Sequence, residues 1–203
     1  MTYGLYKNVR NSAWQCLIDF NVTYLPTNVI QIARESGIKL IKNSHIGMLA
    51  PTELGLSIAK GEQWYIIYND TDSRQECRFT IAHELGHIFL GHNLKQSKHA
   101  RTRRFDITRP EEEDEADSFA ARILAPACVI WAFGLHEPDD IASLCDISYK
   151  SAKKRAKRME VLYKRDKFFL SRLERKVYKN FEDFIKTKRK RDIVSQYNKS
   201  LWG

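Results

Sequence analysis

The segment Arg78-Phe79-Thr80-Ile81-Ala82-His83-Glu84-Leu85-Gly86-His87 holds two histidines four residues apart with a glutamate directly after the first. On a helix, residues at i and i+4 project from one face, so both imidazoles reach a single ion, and Glu84, one residue round, touches a water on it. The apolar neighbours Phe79, Ile81, Ala82, Leu85, Ile88 and Phe89 mark a helix buried on most sides. Two buried imidazoles beside a carboxylate require a partner. The residue types and spacing therefore point to a metal site with His83 and His87 as ligands, Glu84 as general base and one Zn2+ per chain. In that chemistry the ion acidifies a water and polarises a scissile carbonyl, while Glu84 takes the proton and passes it to the leaving amine.

Catalytic zinc takes three protein ligands and leaves a fourth position open. A third histidine six residues after His87 would make the pattern a metzincin, but Asn93 stands there, Leu90 replaces the expected glycine and His92 falls one residue short. The alternative is a carboxylate from a second helix, and the acidic run beginning at Glu111 supplies one. Glu113, Ala116, Asp117, Ala120 and Leu124 share a helical face whose small alanines allow close approach, whereas Glu115 lies about 200° round from Glu113. Glu113 is the preferred third ligand, Asp117 one turn on is a second acceptor able to orient a ligating histidine, and Glu115 is the alternative ligand. Glu111 and Glu112 read as acids that favour the positive end of the helix dipole. Tyr65, Tyr68, His45 and His92 are candidates for a further electrophile on residue type alone. The stretch Trp64 to Tyr68 is a candidate edge for an extended peptide.

The elements that must position these groups follow from the pattern. Val9 to Phe20 carries a helical stripe, Pro26 and Thr27 open a second helix that Gly37 ends, and Ile38 to Ile41 is a short apolar stretch. Leu56 to Ala59, Gly61-Glu62 and Trp64 to Tyr68 predict a hairpin ending at Asn69-Asp70, hence a small antiparallel sheet. Phe79 to Leu90 is helical with Gly91 as its stop, and His92 to Arg109 reads as a polar basic loop. Pro110 and the acids after it start a helix running to about Leu124, and Pro138 to Leu144 is another short helix. Ser148 caps one more from Tyr149 onward. The last two form either a helix-turn-helix or a generic helical hairpin.

With 203 residues, 43% hydrophobic, the chain suits one compact domain with an appendage. Its apolar runs are too short for a membrane span and Met1 to Arg10 lacks a secretory pattern, so a cytoplasmic location is expected. Cys16, Cys77, Cys128 and Cys145 are widely spaced, which argues for free thiols. The net charge of +9 is uneven: residues 150–203 hold 19 Lys and Arg against 6 Asp and Glu, a net of +13, leaving −4 for the first 149 residues. Lys153-Lys154-Arg155, Lys157-Arg158 and Lys188-Arg189-Lys190-Arg191 are candidate contacts for nucleic acid or an acidic protein, set against a solvated helix face. Phe168, Phe169, Tyr178, Phe181, Phe184, Tyr197 and Trp202 interleave these charges and suggest a docking or dimer surface. The expected organisation is α+β: a mostly helical, zincin-like core over residues 1–126, a helical, helix-turn-helix-like region over 127–165 and a basic helical extension over 166–203.

The segments RFTIAHELGHIFLGH (Arg78 to His92), EDEADSFAARILAP (Glu113 to Pro126) and YIIYND (Tyr65 to Asp70) together resemble the ImmA/IrrE family of metallopeptidases. The resemblance spans about residues 5–165 and is strong from 64 to 126. The second segment follows the family habit of Glu, two residues, Ala-Asp or Ala-Asn, one residue and Phe-Ala, which supports Glu113 over Glu115. Where family members end LLMP, this chain has Ile123-Leu124-Ala125-Pro126. The resemblance implies a cytoplasmic zinc endopeptidase, often encoded beside a helix-turn-helix repressor in phages and integrative elements, whose cleavage of that repressor relieves silencing. It also implies a helix-turn-helix-like region, to which Asp139 to Met159 is similar. The lysine-rich stretch past about Arg165 lies beyond what the resemblance matches.

Two functions compete. The first is a regulatory protease acting on a helix-turn-helix repressor, with the basic region docking it near DNA. The second is a DNA-binding transcriptional regulator whose zinc site is structural or vestigial. Glu84 discriminates, because a structural site needs no general base and closes the fourth position with protein. Oligomeric state is not legible.

Overall fold

The computed structural model describes residues 3–92, 100–102, 111–166 and 168–191. Its elements run α1 (Tyr3–Asp19), α2 (Val29–Glu35), β1 (Lys39–Lys42), α3 (Asn43–Ile46), β2 (Glu53–Lys60), β3 (Gln63–Tyr68), α4 (Arg74–Leu90), β4 (Ala100–Thr102), α5 (Glu111–Leu124), α6 (Ala127–Ala132), α7 (Pro138–Cys145), α8 (Tyr149–Arg165) and α9 (Arg172–Asn180). A further helical stretch covers 182–191. The class is α+β, helices packed against one small sheet.

The sheet order is β1-β3-β2-β4. β2 and β3 form the expected hairpin, Lys60 opposite Gln63, around the two-residue turn Gly61-Glu62. Gly61 sits at φ 61°, the left-handed backbone such tight turns demand. β1 pairs parallel to β3, so the sheet is mixed rather than wholly antiparallel. The reason lies in the connection: α3 and the loop after it reverse the chain into β2, and the hairpin reverses it again, returning β3 in the direction of β1. The Asp70 carboxylate ties this corner by accepting from the backbone N–H and the hydroxyl of Ser44 at 3.0 and 2.7 Å. β4 adds to the far side of β2 with a register shift between Glu53 and Gly55. It lies within the segment read as a polar loop, whose residues 93–99 and 103–109 fall outside the described ones, as does Pro110. Because β3 is hydrogen-bonded on both sides, the stretch Trp64 to Tyr68 offers no free edge to a peptide; the outer strands are β1 and β4.

Strand alternation separates two faces. Ser57 lies opposite Ile66, and Leu56 opposite Ile67. Ile66 joins the main core, while Ile67, Leu56 and Leu49 form a small cluster apart from it. Ser57 and Ile66 thus face α4, which crosses the sheet. Ser73 caps α4 by accepting from Glu76 N–H at 3.2 Å, so the helix begins five residues before Phe79. On the other side of α4 lies α5, and a Cβ on Gly86 would come within 3.1 Å of Ala116 Cα and 3.2 Å of its carbonyl oxygen. Glycine against alanine is what lets the two helices touch along their backbones.

The main core draws on residues from Val9 in α1 to Ile185. Trp131 packs on Phe168 and Phe169 with centroids 5.4 and 5.0 Å apart, Phe169 on Tyr178 at 4.9 Å and Phe133 on Phe184 at 5.9 Å. These aromatics, read as a docking or dimer surface, instead cover α6 of their own chain; Tyr197 and Trp202 lie outside the described residues. α7 and α8 are joined by Asp146, Ile147 and Ser148, with Ser148 accepting from Ser151 N–H at 3.3 Å. No described helix is long and apolar enough to cross a membrane.

Arg78 nails this hairpin to α4 and to the segment before α2. Its guanidinium donates to the carbonyl oxygens of Cys145 at 3.1 Å, Asp146, and Thr27 at 3.0 Å, and pairs with the Asp146 carboxylate at 3.0 Å. Arg78→Met keeps the stem volume but strands buried carbonyls, so thermal or urea unfolding should report a loss of about 1–3 kcal/mol.

Candidate metal centre

α4 delivers His83, Glu84 and His87, all fully buried, and α5 delivers Glu113. The His83 and His87 Nε2 atoms stand 3.0 Å apart, Glu113 Oε2 lies 3.4 Å from His83 Nε2, and Glu113 Oε1 lies 3.2 Å from His87 Nε2. An ion about 2.0–2.1 Å from each of three tetrahedrally placed donors sets those donors roughly 3.3–3.4 Å apart. The observed triangle is close to that size. His83, His87 and Glu113 form a group able to hold a metal ion.

Proton positions follow from the outer contacts. His83 Nδ1 is 2.8 Å from Asp117 Oδ1, and a carboxylate there can only accept, so the proton is on Nδ1 and the Nε2 lone pair faces the cluster. Burial opposes a charge on His83, but the nearby carboxylates of Asp117, Glu113 and Glu84 outweigh that and raise its pKa. Burial would likewise lift Glu113, yet the two histidines hold it well below the usual carboxylate range. Two imidazole lone pairs and an ionised carboxylate converging in a buried pocket repel one another until a cation joins them. The donor set, two nitrogens and a carboxylate oxygen, is one that zinc accepts.

Glu84 sits beside this triangle. Ser57 Oγ donates to Glu84 Oε2 at 2.5 Å, while among the described residues Glu84 Oε1 has no hydrogen-bond partner. Burial raises the Glu84 pKa, above all other influences on it, so this carboxylate is more basic than an exposed one. One oxygen is held and the other is left to receive a proton.

The remaining candidates are distributed as follows. Glu115, the alternative ligand, is not brought to the histidine pair; its Oε2 lies 2.9 Å from His92 Nε2. Tyr65 lies under Lys39 Nζ at 5.8 Å, and His45 is exposed on α3. Burial raises Tyr68, with Cys77 and Asp70 adding to the effect. Of these four, His92 lies against the site, its Nδ1 2.8 Å from His87 Nδ1. Ser57 was not singled out by sequence, although a hydroxyl at an inward position of an otherwise apolar strand was the available signal.

The sequence model of the family Peptidase_M78, described as the IrrE N-terminal-like domain, matches residues 33–157, more than half of the chain and every residue of the cluster. A comparison with curated proteins returns no match.

Proposed function

This chain belongs to the Peptidase_M78 family, and on that premise we propose that it is a cytoplasmic zinc-dependent endopeptidase whose substrate is a helix-turn-helix transcriptional repressor of a phage or mobile element. The observation that carries the hydrolase reading is the oxygen of buried Glu84 that has no partner among the described residues, beside the triangle of His83, His87 and Glu113. A structural site has no use for a general base at that position.

His83, His87 and Glu113 would hold the ion, and Asp117 fixes the ring of His83. A bound zinc ion would supply Lewis acidity to a water and to the scissile carbonyl. Glu84 accepts the proton of the attacking water at Oε1 and delivers it to the departing amine. Ser57 keeps the other carboxylate oxygen in place and, with the packed sheet behind it, fixes the direction from which the proton is taken. Ser57→Ala should therefore lower kcat about tenfold with metal content unchanged, a loss of the size of one hydrogen bond to a charged group. Metal analysis alongside steady-state cleavage checks it.

The exposed side of α8 carries Lys150, Lys153, Lys154 and Lys157, while Ala152, Ala156 and Met159 are buried. This basic face supports docking of the enzyme near repressor-bound DNA, and it is also the one feature favouring the second reading, a DNA-binding regulator. The test incubates purified wild-type and Glu84→Gln proteins, metal quantified, with the helix-turn-helix repressor encoded nearest the gene. Cleavage by the wild type alone supports the proposal. Intact repressor with about one zinc per chain rejects this substrate, and a salt-dependent DNA titration then weighs the second reading.

A further inference from the structure

The end of α4 folds back on its own metal-facing residue. Gly91 adopts the left-handed conformation, φ 72°, and the chain reverses so that His92 N–H donates to the His87 carbonyl at 3.1 Å. This is the Schellman arrangement, in which the residue after the glycine returns to the last helical turn. Its side chain is thereby laid against the His87 ring, with centroids 5.0 Å apart and planes at 71°. Glu115, on the side of α5 turned away from Glu113, then meets the far nitrogen of His92.

The proton assignments along this chain of contacts are forced from both ends. Glu115 accepts, so His92 carries its proton on Nε2 and presents a lone pair at Nδ1. His87 must then donate from Nδ1, which leaves the lone pair of its Nε2 turned to His83 and Glu113. The two ligands are thus oriented by different means: Asp117 touches His83 directly, whereas the carboxylate serving His87 stands on the wrong side of α5 and acts through an intervening imidazole.

We propose that His92 and Glu115 are positioning residues of the metal centre, His92 relaying the Glu115 carboxylate to the Nδ1 proton of His87 and so fixing its Nε2 toward the ion. The proposal rests on the metal-site reading above and adds two residues to it. Partners of this kind are worth about 10–100-fold in metal affinity.

Zinc affinity of the full chain, measured by competition with a chromophoric chelator, tests it without recourse to activity. His92→Leu and Glu115→Ala should each weaken zinc binding by about 10–100-fold. His92→Gln should stay within a few-fold of wild type, since its carbonyl accepts from His87 and its amide donates to Glu115. The double variant His92→Leu/Glu115→Ala should bind no more weakly than His92→Leu, because members of one chain are non-additive. Nitrogen-15 histidine spectra of the zinc-loaded wild type should show the His87 proton on Nδ1. If His92→Leu fails to fold, Glu115→Ala and His92→Gln carry the same comparison. Wild-type affinity in both His92→Leu and Glu115→Ala, or a His92→Gln as weak as His92→Leu, would overturn the relay while leaving the metal site standing. A wild type that binds no zinc would remove the metal-site reading and the relay with it.

Discussion

Glu84→Gln is expected to retain about one zinc per chain and to cut repressor cleavage by ~10²–10⁴-fold, the range for removing a general acid-base group. The substitution changes little besides proton affinity. Glutamine matches the volume of a side chain that is fully buried, and its amide oxygen still accepts from the Ser57 hydroxyl that now holds Glu84 at 2.5 Å. The His83, His87 and Glu113 triangle is made without any Glu84 atom. What is lost is a carboxylate that burial has made more basic than usual. The same burial makes Glu84 a cost to the fold, since a desolvated charge with one unmatched oxygen opposes folding. The metal-free Glu84→Gln protein should therefore melt above metal-free wild type, an inactive but more stable variant. Parallel measurements of zinc content, cleavage rate and melting temperature check all three. Cleavage at the wild-type rate would remove Glu84 from the chemistry.

The reach of the sequence differs from one part of this site to the next. The α4 pair was legible because helical spacing alone puts His83 and His87 on one face. The preference for Glu113 over Glu115 followed from the same periodicity on α5, and the structure brings Glu113 to the histidines and turns Glu115 away. The alanines on that face signalled close packing, but the partner glycine, Gly86, was visible only once the helices were in contact. His92 and Ser57 depend on longer-range geometry. One is placed by the reversal at Gly91, the other by the register that sets it opposite Ile66 and against α4. Short elements escaped for a similar reason: α3, α6 and β4 hold only 4, 6 and 3 residues, too few for periodicity to show. The parallel pairing of β1 is a consequence of two chain reversals and not of the residues Lys39 to Lys42. Interleaved aromatics among lysines looked the same in sequence whether meant for a partner or for Trp131.

Removing Glu113 should separate metal binding from folding in the opposite sense to Glu84→Gln. In wild type at free zinc 100 times Kd, selective binding to the folded state adds about 2.7 kcal/mol. For a chain of this size that raises the melting temperature by roughly 5–11 °C. Glu113→Ala deletes a carboxylate that contacts both Nε2 atoms, at 3.4 and 3.2 Å. Its effect on affinity should exceed the ~100-fold upper range for groups that only orient a ligand. At the same free zinc the stabilisation then falls to about 0.4 kcal/mol or less, a shift of roughly 1 °C. The metal-free variant should fold, because Glu113 retains some solvent access and the core contacts of α5 are made by Ala116, Phe119, Ala120, Ile123 and Leu124. Melting curves with and without zinc, run beside a chelator competition, read both quantities from one preparation. Undiminished zinc stabilisation in Glu113→Ala would mean that the third donor is another group. Glu115→Ala would still be expected to bind more tightly than Glu113→Ala, since Glu115 reaches the ion only through His92 and His87. That ordering, Glu113 above Glu115, is the quantitative consequence of two carboxylates two residues apart pointing to opposite sides of one helix.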